Sequence, residues 1–211
     1  MTNPTLEVYR DYTPAGKESG LLPLVEHARV LEIGFGGAKL LQALRDKGND
    51  VHGVDASQRL VDEARAKGFE NVHLVDISES PLPYADDFFD AVYAYEVFEH
   101  LTNPHRMFAE VRRVLKRDGL LFFSVPAQEI DMGYGPNRHT FVYPGLLEKE
   151  NLERFIMQMY FKIEFQYEPG PREHLIGRNF ILRNMKRSDR ADVVEVIVGD
   201  HNVRDLYGYL L

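Results

Sequence analysis

The sequence predicts an α/β protein, a doubly wound and mostly parallel sheet with helices on both faces. Three observations predict it. Between residues 29 and 125, short apolar runs alternate with segments whose apolar residues recur at helical spacing. The connections are short, and right-handed crossovers then leave every strand's C-terminal end on one edge. Finally, Gly34 to Gly37, Asp55 and Asp76 each fall just after an apolar run. Three distant positions therefore converge on one rim, where open α/β sheets bind their ligands.

The elements follow in order. "RVLEI" reads as a buried strand, and after the glycines "AKLLQALRDKG" reads as a helix stopped by Gly48. "DVHGV" is a second strand ending at Asp55. Ser57 is a candidate cap for the helix "QRLVDEARAKG", which Gly68 terminates. "NVHLV" is a third strand ending at Asp76, and a proline-marked loop leads to the fourth, "DAVYAY". Asn103-Pro104 supplies a cap and a first-turn proline. The helix it opens places Met107, Phe108, Val111, Val114 and Leu115 on one face. Asp118-Gly119 then turns the chain into a fifth strand, "LLFFSV". Beyond Pro126 the pattern loosens into a polar-aromatic insertion. "GLLEKENLERFIMQM" has helical spacing, "YFKIEFQYE" alternates as a strand, and "NFILRNMKR" is a further strand candidate. The last 20 residues have no assignable pattern. The expected organisation is one domain over residues 1–211, with a cofactor-binding core at 29–125 and a substrate-side elaboration at 126–211.

Composition excludes several function classes. The 211 residues are 44% apolar and contain no cysteine, which removes disulfides, thiolate metal sites and a cysteine nucleophile. Such a chain fits a cytoplasmic setting. No apolar stretch approaches the roughly 20 residues that cross a bilayer. The start, "MTNPTLEVYRDY", has no signal-peptide pattern. A net charge of −8 argues against holding nucleic acid through the overall field. One local exception runs from 171 to 190, with Arg172, Arg178, Arg183, Lys186, Arg187 and Arg190 against Glu173 and Asp189. It reads as a solvated strand edge or as a site for an anionic substrate or partner.

The glycine spacing narrows the ligand. A dinucleotide fingerprint requires glycine at position 39, where Lys39 stands. A phosphate-cradling loop requires glycine followed by Lys and Ser or Thr, which "GGAKLL" lacks. What remains is E-x-G-x-G, from Glu32 to Gly36, followed by Gly37. Asp55, at the end of the second strand, can accept hydrogen bonds from both hydroxyls of a ribose. An acid at Asp76 can accept from an adenine amino group.

Together, "VLEIGFGGAKLL", "VHGVDAS", "VHLVDIS", "FFDAVYAYEVFEHLTNPHRMFAEVRRVLKRDGLLFFSVP" and "RHTFVYP" carry a resemblance. In this order they resemble the Rossmann-like S-adenosylmethionine-dependent methyltransferases, in the small-molecule branch akin to ubiquinone- and sterol-type enzymes. Ala38 departs from the pattern, since many relatives carry a third glycine there. The resemblance implies a seven-stranded sheet, S-adenosyl-L-methionine as cofactor and S-adenosyl-L-homocysteine as product. It implies that Glu32 and the turn Gly34, Phe35, Gly36 and Gly37 face the methionine part, with Asp55 and Ala56 at the ribose. Asp76 and the Ile77 backbone would read the adenine. Tyr95 would lie near the sulfonium-bearing chain, and Tyr12 would close over the cofactor.

The implied reaction is an in-line methyl transfer to O or N of a small-molecule acceptor. Alignment can supply roughly 7–11 kcal/mol of the barrier lowering, and a hydroxyl acceptor gains roughly 10²–10⁴-fold from a general base. His139, in the segment that walls the acceptor site in relatives, and His100, after the fourth strand, are the candidate catalytic residues. His139 also reads as a hydrogen-bonded structural histidine, and His100 reads first as a packing or cofactor contact. "EVFEH" lacks the histidine at position 96 that an inverted zinc motif requires, so no metal site is expected. The competing functions are a tRNA or protein methyltransferase, an NAD(P)-dependent oxidoreductase and a non-catalytic nucleotide-binding protein.

Overall fold

A computed structural model describes residues 25–126, 145–167 and 178–185. They build one seven-stranded sheet in the order β3-β2-β1-β4-β5-β7-β6. The strands are β1 (Arg29–Ile33), β2 (Asp50–Asp55), β3 (Val72–Leu74), β4 (Phe89–Tyr95), β5 (Leu115–Val125), β6 (Phe161–Tyr167) and β7 (Arg178–Asn184). Four α-helices accompany them: α1 (Lys39–Asp46), α2 (Gln58–Ala66), α3 (Pro104–Val114) and α4 (Lys149–Gln158). The first five strands pair in parallel, and β7 runs antiparallel between β5 and β6.

Period-two alternation decides which side chain meets which helix layer. Leu31, Ile33, Val92, Ala94, Leu121 and Phe123 point to one face, against Met107, Phe108 and Val111 of α3 and Leu152, Phe155 and Ile156 of α4. Val30, Ala91, Tyr93, Leu120 and Phe122 point to the other, where Leu44 of α1 covers them. Helix α2 packs Val61 and Ala64 with Leu41, Phe35 and Val72. Strands buried on both faces explain why their sequence runs are almost continuously apolar.

Four local expectations are corrected. Leu115 opens β5 rather than closing α3, because helix passes into strand without a loop. Asp118-Gly119 is no connection before the strand but part of a bulge within it. Phe89 faces Leu115 and Ala91 faces Leu120, so Lys116 to Gly119 lie against the single residue Asp90. Strand β3 stops at Leu74, two residues before Asp76. The helix expected from Gly145 begins at Lys149, because Gly145 is left-handed (φ 77°) and Glu148 is extended.

Ser57 occupies the cap position of α2, but its side chain makes no capping bond. Asn103 does cap α3, accepting from Arg106 N–H at 3.1 Å. Of the basic run 171–190, Arg178 and Arg183 are described. They sit on β7, an interior strand and not an edge, where Arg183 pairs with Glu164 at 2.8 Å and Arg178 donates to the Leu147 carbonyl. No helix among the described residues is long and apolar enough to cross a membrane.

Candidate cofactor-binding site

The rim at the strand C-termini is built around the turn after β1. Gly34 and Gly36 are left-handed (φ 69° and 50°), a region that a Cβ disfavours. Their surroundings differ. A Cβ on Gly34 would lie 2.6 Å from Val97 Cγ2, so this glycine lets the segment after β4 close onto the turn. A Cβ on Gly36 or Gly37 would meet no atom of the described residues within 4 Å. Ala38 is also left-handed (φ 60°) and starts α1 without a side-chain cap, which accounts for glycine suiting that position. The Phe35 ring turns inward, onto Gly53 and the cluster around Leu41, so only its main chain can face the cleft.

Asp55 holds this turn from β2. One carboxylate oxygen accepts the Gly36 N–H at 3.0 Å and the other accepts the Ser57 N–H at 2.8 Å. An ionised carboxylate offers about four acceptor sites, so two remain for a ligand's hydroxyls. Ala56, next to it, is exposed.

Glu32 is 7% exposed, and its Oε2 is buried without a hydrogen-bond partner among the described residues. Burial raises its carboxyl to about 8, the nearby Asp55 charge adds to this, and the backbone N–H of Leu41 in the first turn of α1 partly offsets it. A buried acceptor with no donor matches an ammonium group supplied by a ligand. The orphaned Glu32 oxygen and the space clear of described atoms at Gly36 and Gly37 fit the amino-acid end of S-adenosylmethionine. The chemistry of the donor set thus agrees with the cofactor.

Asp76 is exposed beyond β3 and accepts the Ser78 N–H at 2.9 Å, while Ile77 is buried beside it. Leu74 was missed from the sequence because "VHLV" reads as wholly buried. It is 49% exposed, and its register partner is Asp55. Tyr95 ends β4, half-buried, with its ring edge-on to Tyr93 at 5.9 Å.

His100 is exposed on a 3-10 turn, Phe98–His100, with Nε2 3.8 Å from Glu99 Oε1. Glu96 and Glu99 were not recognised from the sequence. The signal available was a pair of acids three residues apart just beyond a rim-forming strand. Tyr12 and His139 lie outside the described residues.

Residues 31–123 match the family model described as a methyltransferase domain. Over these residues, fewer than half of its length, the chain is similar to this family. It is 34% identical over 135 residues to the uncharacterized methyltransferase YcgJ of Bacillus subtilis, covering 56% of this chain and 53% of that one. It is 34% identical over 106 residues to the ubiquinone biosynthesis O-methyltransferase of Xylella fastidiosa, covering 46% and 41%. The chain thus spans about half the length of the curated relatives it matches. A solved S-adenosylmethionine-dependent methyltransferase from Methanosarcina mazei shares the fold, with a TM-score of 0.62 at 17% identity over 87% of this chain and 98% of that one.

Proposed function

We propose that the protein transfers a methyl group from S-adenosylmethionine to an oxygen or nitrogen of a small molecule by in-line displacement. The observation that carries this reading is the Gly36–Asp55 clamp standing beside the orphaned Glu32 oxygen. When bound, the cofactor supplies a methyl already activated by its sulfonium. The chain's residues then bind and align. Asp55 accepts the ribose hydroxyls while keeping the turn in place, and the adjacent Ala56 lines the ribose. Glu32 accepts the ammonium, and Gly36 and Gly37 leave the room in which the amino-acid chain lies. Asp76 and the Ile77 backbone read the adenine, and exposed Leu74 offers an apolar surface to the ring. Tyr95 walls the methyl-bearing side. Tyr12 as a lid, and His139 and His100 as bases, complete the proposal.

The relatives' names support an oxygen acceptor. The internal engagement of Arg178 and Arg183 removes these two from the case for a tRNA or protein substrate. Lys39 at the third fingerprint position opposes a nicotinamide cofactor. Incubation with methyl-labelled cofactor and a metabolite panel tests the reading. Label transferred to a small molecule supports it, and label found only in tRNA or protein overturns it.

A further inference from the structure

We propose that Glu96 and Glu99 act as a carboxylate pair that takes the proton from a hydroxyl-bearing methyl acceptor. Glu96 touches that acceptor, and Glu99 holds the second carboxyl behind it. The inference rests on the methyltransferase reading and deepens it, because it makes the reaction an O-methylation and seats the acceptor over the end of β4.

Position along the rim comes first. The polar groups follow the sheet order: Asp76 after β3, Asp55 after β2, Glu32 and the glycine turn after β1. A cofactor laid adenine, ribose, methionine over β3, β2 and β1 brings its transferable methyl towards the next strand, β4. Glu96 and Glu99 follow directly on β4, and Val97 between them packs on Gly34 of the turn.

The second observation concerns Glu99. Its side chain is 1% exposed, yet neither carboxylate oxygen has a hydrogen-bond partner among the described residues. A buried carboxylate without donors is costly unless it keeps a proton. Burial, and then the neighbouring Glu96 charge, raise its carboxyl well above the usual range. The titratable groups facing it among the described residues are Glu96 and His100, the latter with Nε2 at 3.8 Å. Glu96 is exposed and held in a left-handed backbone (φ 51°). Its N–H donates to Ser124 Oγ at 3.1 Å, and the Ser124 hydroxyl donates back to Glu96 Oε1 at 2.8 Å. The pair thus runs from the cleft into the interior, aimed by the end of β5.

Two adjacent carboxyls hold one proton between them and carry one negative charge. As the acceptor oxygen bonds to the methyl carbon, the carbon–sulfur bond breaks and its electron pair stays on sulfur. The hydroxyl proton passes to the charged oxygen of the pair. The negative charge of the pair and the positive charge of the sulfonium disappear together, which a low-dielectric cleft favours. The extra proton leaves to water when the ether departs.

The test uses the full chain, labelled cofactor, and catechol-type hydroxyl probes beside their aromatic amine counterparts, with S-adenosylhomocysteine affinity measured in parallel. Transfer to a hydroxyl probe is expected. Glu96→Gln should lower kcat by about 10²–10⁴-fold with product affinity unchanged. Glu99→Gln should shift the acid limb of the kcat–pH profile upward, because Glu96 then has no carboxylic-acid proton to share, with partial restoration by Glu99→Asp, a change that a packing role would not produce. Superimposable profiles for wild type and Glu99→Gln overturn the proposal. So does transfer confined to amines, or to no hydroxyl probe, by protein that binds S-adenosylhomocysteine. Protein that does not bind S-adenosylhomocysteine overturns the cofactor reading and this proposal with it.

Discussion

The Asp55 carboxylate accepts the backbone N–H of Gly36 at 3.0 Å, joining the end of β2 to a turn 19 residues earlier in the chain. This one side chain shapes the turn and, in the proposed function, also keeps acceptor sites for a ribose. Asp55→Ala should therefore weaken S-adenosylhomocysteine binding by a large factor and also lower thermal stability. Each hydrogen bond to the carboxylate is worth roughly 1.5–3 kcal/mol. Calorimetry and melting curves check both effects. A variant with weakened binding but an unchanged melting temperature would separate the turn from the carboxylate.

The glycines should divide by mechanism. Gly36→Ala adds a methyl that meets no described atom and places it on a left-handed backbone, at a fold cost of roughly 1–2 kcal/mol. Its larger effect should be on cofactor affinity. Gly34→Ala meets Val97 Cγ2 at 2.6 Å and should chiefly destabilise the fold. The double variant with Val97→Ala should recover part of that loss but not the backbone strain. Equal losses in single and double variants would contradict the packing role.

The bulge in β5 gives a prediction independent of ligand. A Cβ on Gly119 would stand 2.9 Å from the Lys116 carbonyl and 3.1 Å from that of Asp90, both main-chain atoms. Gly119→Ala should cost about 1–3 kcal/mol by overpacking. Urea denaturation measures it, and a cost near zero would mean that the bulge yields.

The pH dependence of stability follows from Glu32. Its carboxyl titrates at about 8 when folded and near 4.5 when free, so between these values the native state holds a proton that the unfolded state has lost. This contribution is full below about pH 4.5 and is lost as pH rises through 8. Glu99 acts in the same direction. Glu110, held low by Arg113, acts oppositely and only at acid pH. Ligand-free protein should thus lose melting temperature between pH 7 and 8.5, above the range in which the desolvated His52 makes stability rise with pH, and Glu32→Gln should flatten the slope. Binding a ligand ammonium should expel the Glu32 proton, visible near neutral pH as a binding enthalpy that varies with buffer ionisation enthalpy. No buffer dependence would place the ammonium elsewhere.

Much of this rim was legible because it depends on short-range sequence. The Glu32–Gly37 turn and Asp55 lie at the ends of strands whose apolar runs are uninterrupted, and Asp76 follows one closely. The topology of β7 was not legible, since alternation marks a strand but not its neighbour or direction. The Asp118-Gly119 dipeptide misled for a related reason: a left-handed Asp118 serves a bulge as well as a turn. Glu99 escaped because the turn that carries it is held by Phe98 against Phe108, Phe123 and Phe155, contacts made between distant segments.

The most direct test of the central claim is calorimetric titration of the intact chain with S-adenosylhomocysteine, and with NADH as comparator. The account predicts one S-adenosylhomocysteine site per chain, loss of most affinity in Asp55→Ala, and no NADH binding. Binding of NADH in place of S-adenosylhomocysteine would contradict it.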